Sequence, residues 1–342
     1  MDTSDISERT LDDLLLQVIK RLLTRKGRIG ATRGNTAELM GVMLQLRNPR
    51  ARLSRTERRG LLFSCLGELF WYLAGSDKLR FIEYYLTRYS DESDDGRTIH
   101  GAYGPRLFNA RGIDQVRNVL SLLRDKPTSR RAVIQVFDAV DLAKHHKDIP
   151  CTCTLQLMLR DRRLHMLASM RSNDAFRGLP HDVFAFTMLQ EIMARSLGVE
   201  LGTYKHAVGS LHLYEEDRQK AQQFVDEGWQ STVFMPPMPF GDPWPSIRTL
   251  LRAESAIRRG VFDGRDLNLG AYWGDIVRLL QIYGLSKKGD AKQITRIRRK
   301  MSSSVYEPYI ERKRQKAIQR PAVPRVPVQE ELFGNEGPDP SR

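Results

Sequence analysis

Three short stretches of this 342-residue chain carry side chains able to do chemistry. Arg171-Ser172-Asn173-Asp174 sets a guanidinium, a hydroxyl and a carboxylate side by side after Arg163–Met170, a segment that alternates like a strand. A guanidinium fork beside a hydroxyl at a strand end suits a phosphate. His212 and Tyr214 stand two apart, on one face if extended, and can hydrogen-bond a sugar hydroxyl. Pro150-Cys151-Thr152-Cys153 supplies thiols, yet a cysteine beside a strand is far more often a core residue than a nucleophile. His145, His146 and the two cysteines match no closed zinc site, so no metal is expected. Gly178-Leu179-Pro180 allows a close backbone approach ahead of a helix. Taken singly, each stretch fits a structural role better than a functional one.

The elements that must position them are readable from periodicity. Leu11, Leu14, Leu15, Val18, Ile19 and Leu22 predict an amphipathic first helix. Gly27 to Gly34 reads as a loop, and Ala37–Leu46 as a strand or short helix. Residues 56–74 read as a long buried helix around the charged Glu68, followed by a polar loop from Ser90 to Arg97. Arg131–Asp138 alternates as a strand, and Cys153–Arg160 with Arg163–Met170 flank Asp161-Arg162 as a hairpin. Val183–Leu197 is a second buried helix capped by Gly198, and Thr203–Leu211 a further strand. Five of the sixteen prolines fall in 232–245, which predicts a boundary there. The expected organisation is a catalytic domain over 1–231, a helical basic extension over 232–318 and a disordered tail over 319–342.

Composition narrows the class. Hydrophobic residues make up 41% and charged residues 28%, enough for a packed core. No apolar run reaches the ~18–20 residues of a membrane span. The polar, acidic start Met1-Asp2-Thr3-Ser4-Asp5 is unlike a signal peptide, and three cysteines make no disulfide framework. A cytoplasmic, reduced protein is the expectation. Of the net charge of +14, +10 lies in residues 287–325, where thirteen Lys/Arg face three Asp/Glu. That stretch suits a nucleic acid or another polyanion, and equally a solvated helix and tail.

In order along the chain, the motifs resemble the thymidylate synthase superfamily. They are Arg33-Gly34-Asn35-Thr36, Glu68-Leu69-Phe70-Trp71-Tyr72-Leu73, Tyr103-Gly104, Ser129-Arg130-Arg131, Pro150-Cys151, the run Arg171 to Pro180, and His212-Leu213-Tyr214. The fold this implies is α/β, a large mixed sheet covered by helices, dimerising through the sheet. By resemblance, Cys151 is the nucleophile at C6 of a pyrimidine nucleotide, Glu68 the proton relay and Tyr103 the tyrosine beside the nucleophile. Arg33, Arg171 and Ser172 grip phosphate, while Arg130 and Arg131 reach into the partner's site of a homodimer. Asp174 and Gly178 belong to the side of the site that holds 5,10-methylenetetrahydrofolate, the one-carbon cosubstrate; His212 and Tyr214 contact the sugar.

The departures are informative. After Gly-Leu-Pro the family reads Phe-Asn, where the asparagine reads uracil; here it is His181-Asp182. A carboxyl accepts from the amino group of cytosine and, when protonated, donates to N3, whereas the anion repels O4 of uracil. The resemblance is therefore closest to the cytidylate 5-hydroxymethylase branch, with CMP or dCMP as substrate. Tyr89-Ser90-Asp91-Glu92-Ser93 has serine where the family carries tryptophan around an Asp-Glu pair, which would let water reach the one-carbon unit. Thr152 replaces a histidine, and Ser210 an aspartate. The chain runs 128 residues beyond Tyr214 without the family's short closing tail. Two alternatives remain: a thymidylate synthase or uridylate hydroxymethylase, and a non-catalytic nucleic-acid-binding homologue. Binding alone needs no nucleophile, so Cys151, Glu68 and the arginines argue against the last.

Overall fold

The computed structural model describes residues 5–25, 29–31, 34–54, 61–228, 233–262 and 267–319. Seven strands form one sheet: β1 (Asp5–Glu8), β2 (Ile29–Ala31), β3 (Gly34–Leu46), β4 (Val133–Gln135), β5 (Thr152–Arg160), β6 (Arg163–Asp174) and β7 (Glu200–Tyr214). The order is β1-β3-β7-β6-β5-β4, with β2 also paired to β3. β1 lies parallel to β3 and β6 parallel to β7, while the remaining pairs are antiparallel. The sheet is mixed, as the motifs implied.

The helices are α1 (Leu11–Thr24), α2 (Leu62–Leu73), α3 (Leu79–Glu83), α4 (Tyr103–Phe108), α5 (Gln115–Asp125), α6 (Leu179–Ser196) and α7 (Arg218–Asp226). They are followed by α8 (Trp244–Arg258), α9 (Gly270–Lys288), α10 (Ala291–Arg298) and α11 (Glu307–Gln319). Thr10 caps α1 by accepting from the Asp13 N–H, and all six predicted apolar positions of that helix are buried. α6 is apolar on every side because it lies between the sheet and α2; it ends at Gly198, whose φ of 66° only glycine adopts freely. The β5–β6 turn has φ of 49° at Asp161 and 55° at Arg162, the left-handed pair of a two-residue hairpin whose twist matches the strands.

Four expectations change. The loop from Gly27 to Gly34 contains β2, three residues that become a strand only by pairing with Gly34–Thr36. The strand expected over Arg131–Asp138 shrinks to Val133–Gln135, because the N–H groups of Val136 and Phe137 both turn onto the Cys153 carbonyl. Thr87–Glu92 forms a 3₁₀ turn that takes in the start of the loop expected at Ser90. The helix expected from residue 56 spans Leu62–Leu73, with 55–60 outside the described residues.

The proline-rich segment is tied down. Met235 and Met238 are buried, the Met235 N–H donates to the Arg50 carbonyl, and Arg195 Nε donates to the Met238 carbonyl. The C-terminal helices share one apolar cluster with the rest of the chain. Tyr283 of α9 stacks on Phe63 of α2 at 5.8 Å, and Tyr85 donates to Glu254 of α8 at 2.9 Å. Several cations of the basic stretch are engaged: Lys287 and Lys313 lie over the rings of Tyr84 and Tyr283, and Arg298 and Arg314 pair with Glu311. Of the tail expected over 319–342, Gln319 instead ends α11, and 320–342 lie outside the described residues. No helix among the described residues is long and apolar enough to cross a membrane.

Candidate active site

Strand register gathers the expected residues at one end of the sheet. Ser172 pairs with Ser210, and Asp174 with His212, while Thr36 and Glu38 of β3 pair with Tyr214 and His212. The Arg171 N–H donates to the Cys151 carbonyl at 2.9 Å, so the thiol at the head of β5 lies beside the arginine of β6. Arg171 bends back along that segment: Nε donates to the Pro150 carbonyl at 3.0 Å and Nη2 to the Ile149 carbonyl at 3.1 Å. Nη2 also sits 3.7 Å from the Cys151 sulfur. A guanidinium at that distance stabilises a thiolate, the form in which sulfur attacks carbon. Cys153, two residues on, has no such neighbour among the described contacts, and its backbone carbonyl serves the turn at Val136.

Tyr103 fixes the next residue. Its hydroxyl oxygen accepts from the Thr152 N–H at 3.2 Å, and Thr152 Oγ1 lies 3.1 Å away. The ring packs against Tyr72 and Phe186. One turn later Arg106 grips the buried Asp141 at 2.7 and 2.8 Å, which anchors α4. His146 bonds Asp94 at 2.9 Å and stacks on His100. Ser172 Oγ lies 3.5 Å from His212 Nδ1, and the His212 and Tyr214 rings meet edge-on at 5.1 Å. Ser210 donates to Glu38, across the strand pair.

Near the thiol lie two acids, Glu68 buried and Asp182 half-buried. Glu68 is 5% exposed on α2; its Oε1 accepts from Tyr89 at 2.8 Å, and its Oε2 has no partner among the described residues. Asp182, in the first turn of α6, has its acidity pushed well down: burial raises its pKa most, and the Glu68 charge adds to this. The Arg88 charge and a hydrogen bond from Asn173 work against the shift without cancelling it. The net shift favours the protonated form of this carboxyl. Burial and then the Asp182 and Cys151 charges likewise push the Tyr103 hydroxyl up, which places all three in one electrostatic neighbourhood.

Asp174 shapes the loop between β6 and α6. Its Oδ1 accepts from the N–H groups of Phe176 and Arg177 at 2.8 and 2.9 Å, leaving Oδ2 for a donor such as a pterin N–H. Gly178 must stay bare, since a Cβ there would lie 2.8 Å from the Asn173 amide oxygen. Arg130 and Arg131 are exposed ahead of β4. Arg33 lies outside the described residues, one position before β3 begins.

Residues 10–234 match the family described as Thymidylate synthase. The chain belongs to the thymidylate synthase family. Its fold resembles the thymidylate synthase of T4 phage, with a TM-score of 0.57 at 19% identity, covering 69% of this chain and 89% of that one. It is 35% identical over 173 residues to the deoxyuridylate hydroxymethyltransferase of Pseudomonas phage M6, covering 50% of this chain and 49% of that protein. The enzyme of the same name from Delftia phage PhiW-14 is 31% identical over 196 residues, covering 53% of this chain and 54% of the relative. The chain thus spans about half the length of the curated relatives it matches.

Within this family site, three residues escaped the sequence reading. His206 is fully buried, and burial lowers its pKa to about 3, so it is neutral. It lies 2.6 Å from the Tyr204 hydroxyl through Nδ1 and 2.9 Å from the Asn173 amide nitrogen through Nε2. A neutral ring satisfies both when Nδ1–H donates to Tyr204 and Nε2 accepts from Asn173. The Asn173 amide also bears on the charge of Asp182, which links β7 through β6 to α6. The Tyr204/His206 spacing of two was a visible signal; their pairing with Asn173 was not.

Proposed function

We propose that this protein is a pyrimidine nucleoside monophosphate 5-hydroxymethylase, and that its pyrimidine is cytosine. Cys151 adds to C6, which makes C5 an enamine carbon able to take a one-carbon unit from 5,10-methylenetetrahydrofolate; water supplies the hydroxyl oxygen. Arg171 and Ser172, with Arg33, grip the phosphate, and His212 and Tyr214 the sugar. Asp174 and Gly178 line the folate side. The observation that carries the chemistry is the Arg171 guanidinium 3.7 Å from the Cys151 sulfur. The phage relatives named as hydroxymethyltransferases support the product.

The observation that carries the base is Asp182, half-buried in the first turn of α6, where loss of hydration and then the Glu68 charge raise its pKa and favour its neutral form. As cytosine is attacked at C6, negative charge builds toward N3, and a neutral acid there can deliver a proton that an amide cannot. A second reading, uracil, is favoured by the deoxyuridylate in the relatives' names. It is compatible with the same residue, because a neutral carboxyl turned over presents its O–H to O4 and its carbonyl to N3–H. Incubating the protein with CMP, dCMP, UMP and dUMP plus methylenetetrahydrofolate, and weighing the products, separates the readings. A +30 Da gain on a cytosine nucleotide, about the mass of CH₂O, is expected; gain on uracil alone would refute the cytosine assignment.

Two further assignments complete the proposal. Arg130 and Arg131 serve the site of a partner copy, supported by their exposure and by a sheet face whose alternate positions stay half exposed. Residues 1–231 form the catalytic unit, and 232–318 an extension that buttresses α2, the helix of Glu68. Nucleic-acid binding through 287–325 forms no part of the proposal, since Lys287, Arg298, Lys313 and Arg314 are already engaged.

A further inference from the structure

We propose that Tyr89 is a positioning residue for the water that becomes the hydroxyl group, acting through Glu68; this rests on the hydroxymethylation reading. Tyr89 lies in the 3₁₀ turn Thr87–Glu92, on an element separate from α2. Its ring meets Trp71 edge-on at 5.5 Å, which sets the direction of the hydroxyl. That hydroxyl donates to Glu68 Oε1 at 2.8 Å and so fixes the carboxylate plane. Burial and then the Glu68 charge push the Tyr89 hydroxyl well up, which keeps it a donor throughout the neutral range.

Two acceptors remain once this bond is made. One is Glu68 Oε2, buried and without a partner among the described residues. The other is the lone pair of the Tyr89 oxygen. A water donating one proton to each turns its own lone pair outward. After the one-carbon unit has been transferred, the pyrimidine bears an exocyclic methylene at C5 and the Cys151 sulfur at C6. The water oxygen bonds to the methylene carbon while the C=C pair moves into the ring. The water proton passes to Glu68 Oε2. The ring pair then re-forms C5=C6 and expels the Cys151 thiolate, leaving the hydroxymethyl group. Every atom and electron pair is accounted for without an added oxidant or reductant.

The test compares wild type with Tyr89→Phe, which keeps the ring and removes only the oxygen. The readouts are hydroxymethyl product by mass, KM for the nucleotide, and exchange of the C5 hydrogen for deuterium in heavy water, which needs thiol addition but no one-carbon transfer. Tyr89→Phe is expected to slow hydroxymethylation about 10- to 100-fold, the size of one lost charge-assisted hydrogen bond. KM and the exchange rate should stay within about threefold. In a Glu68→Gln background, adding Tyr89→Phe should cost less than about twofold more, because both changes remove the same device. Undiminished hydroxymethylation in Tyr89→Phe would overturn the inference. So would equal losses in exchange and product, or full additivity with Glu68→Gln, each of which marks a merely structural tyrosine. Failure of the underlying reading is seen in the wild type alone, as absence of hydroxymethyl product from every pyrimidine nucleotide, and it removes this inference too.

Discussion

Asp182→Asn is the sharpest test of how the base is read. The side chain keeps its volume, so the hydrogen bonds from Asn173 through His206 to Tyr204 can persist. What disappears is the acidic proton that burial and the Glu68 charge retain on this group. General acid assistance of this kind contributes about 10²–10⁴-fold, or roughly 3–5 kcal/mol of the barrier. On a cytosine nucleotide kcat should fall by that factor with KM nearly unchanged, because an amide still pairs with N3 and the amino group. On a uracil nucleotide the variant should gain, since the amide donates to O4 and accepts from N3–H. The pH profile supplies a second sign. Asp182 acts when protonated and its pKa is raised, so wild-type activity persists above the ordinary carboxylate range and falls about tenfold per pH unit once the group ionises. Asp182→Asn should lose that alkaline limb. The assay is kcat and KM on CMP, dCMP, UMP and dUMP between pH 5 and 9. Unchanged cytosine kcat, or an alkaline limb that survives the substitution, would refute the reasoning.

Cys151→Ser should lose turnover by at least about 10³-fold while nucleotide binding persists, whereas Cys153→Ser should retain most activity; equal losses in a steady-state assay would exclude Cys151 as nucleophile. Inactive Arg130→Ala and Cys151→Ala chains, refolded together, should regain activity in mixed dimers, because one site then holds both groups; verified heterodimers without activity would place Arg130 in its own chain's site. His206 is neutral when folded, with a pKa near 3, but takes up a proton near pH 6.5 when unfolded. Its contribution is therefore fully present above pH 6.5 and lost as pH falls toward 3, about 2 kcal/mol by pH 5. Urea melts of His206→Gln should show a correspondingly flatter acid limb, and identical pH slopes would falsify the assignment.

Much of the site was legible because its parts are local. Arg171 and Ser172 are adjacent, and His212 and Tyr214 are two apart on β7. The 3.6-residue pattern of α1 and the Asp161-Arg162 turn are likewise short-range signals that packing did not overrule. The misses have the opposite character. β2 exists only as a partner of β3, and the strand before Asp138 ends where two N–H groups find one carbonyl on β5.

The same distinction separates what the two halves of the site do. Cys151, the proposed nucleophile, and the Arg171 guanidinium are 20 residues apart, joined by one strand pairing, and their types announce the chemistry proposed for them. The groups that choose among substrates and acceptors do not. Asn173 and His206 are 33 positions apart and Glu68 and Tyr89 are 21 apart, each pair joined by a single hydrogen bond across different elements. An asparagine, a buried histidine and a tyrosine are ordinary core-edge residues in a sequence. They acquire meaning only where a protonated carboxyl needs a backing donor, or a carboxylate needs one oxygen tied so that the other can take a proton. On the proposed reading, the bond-forming group is written in residue type, while control over base and acceptor is written in hydrogen bonds between elements. Changing Asn173, His206 or Tyr89 should accordingly alter which reaction runs more than whether Cys151 can attack.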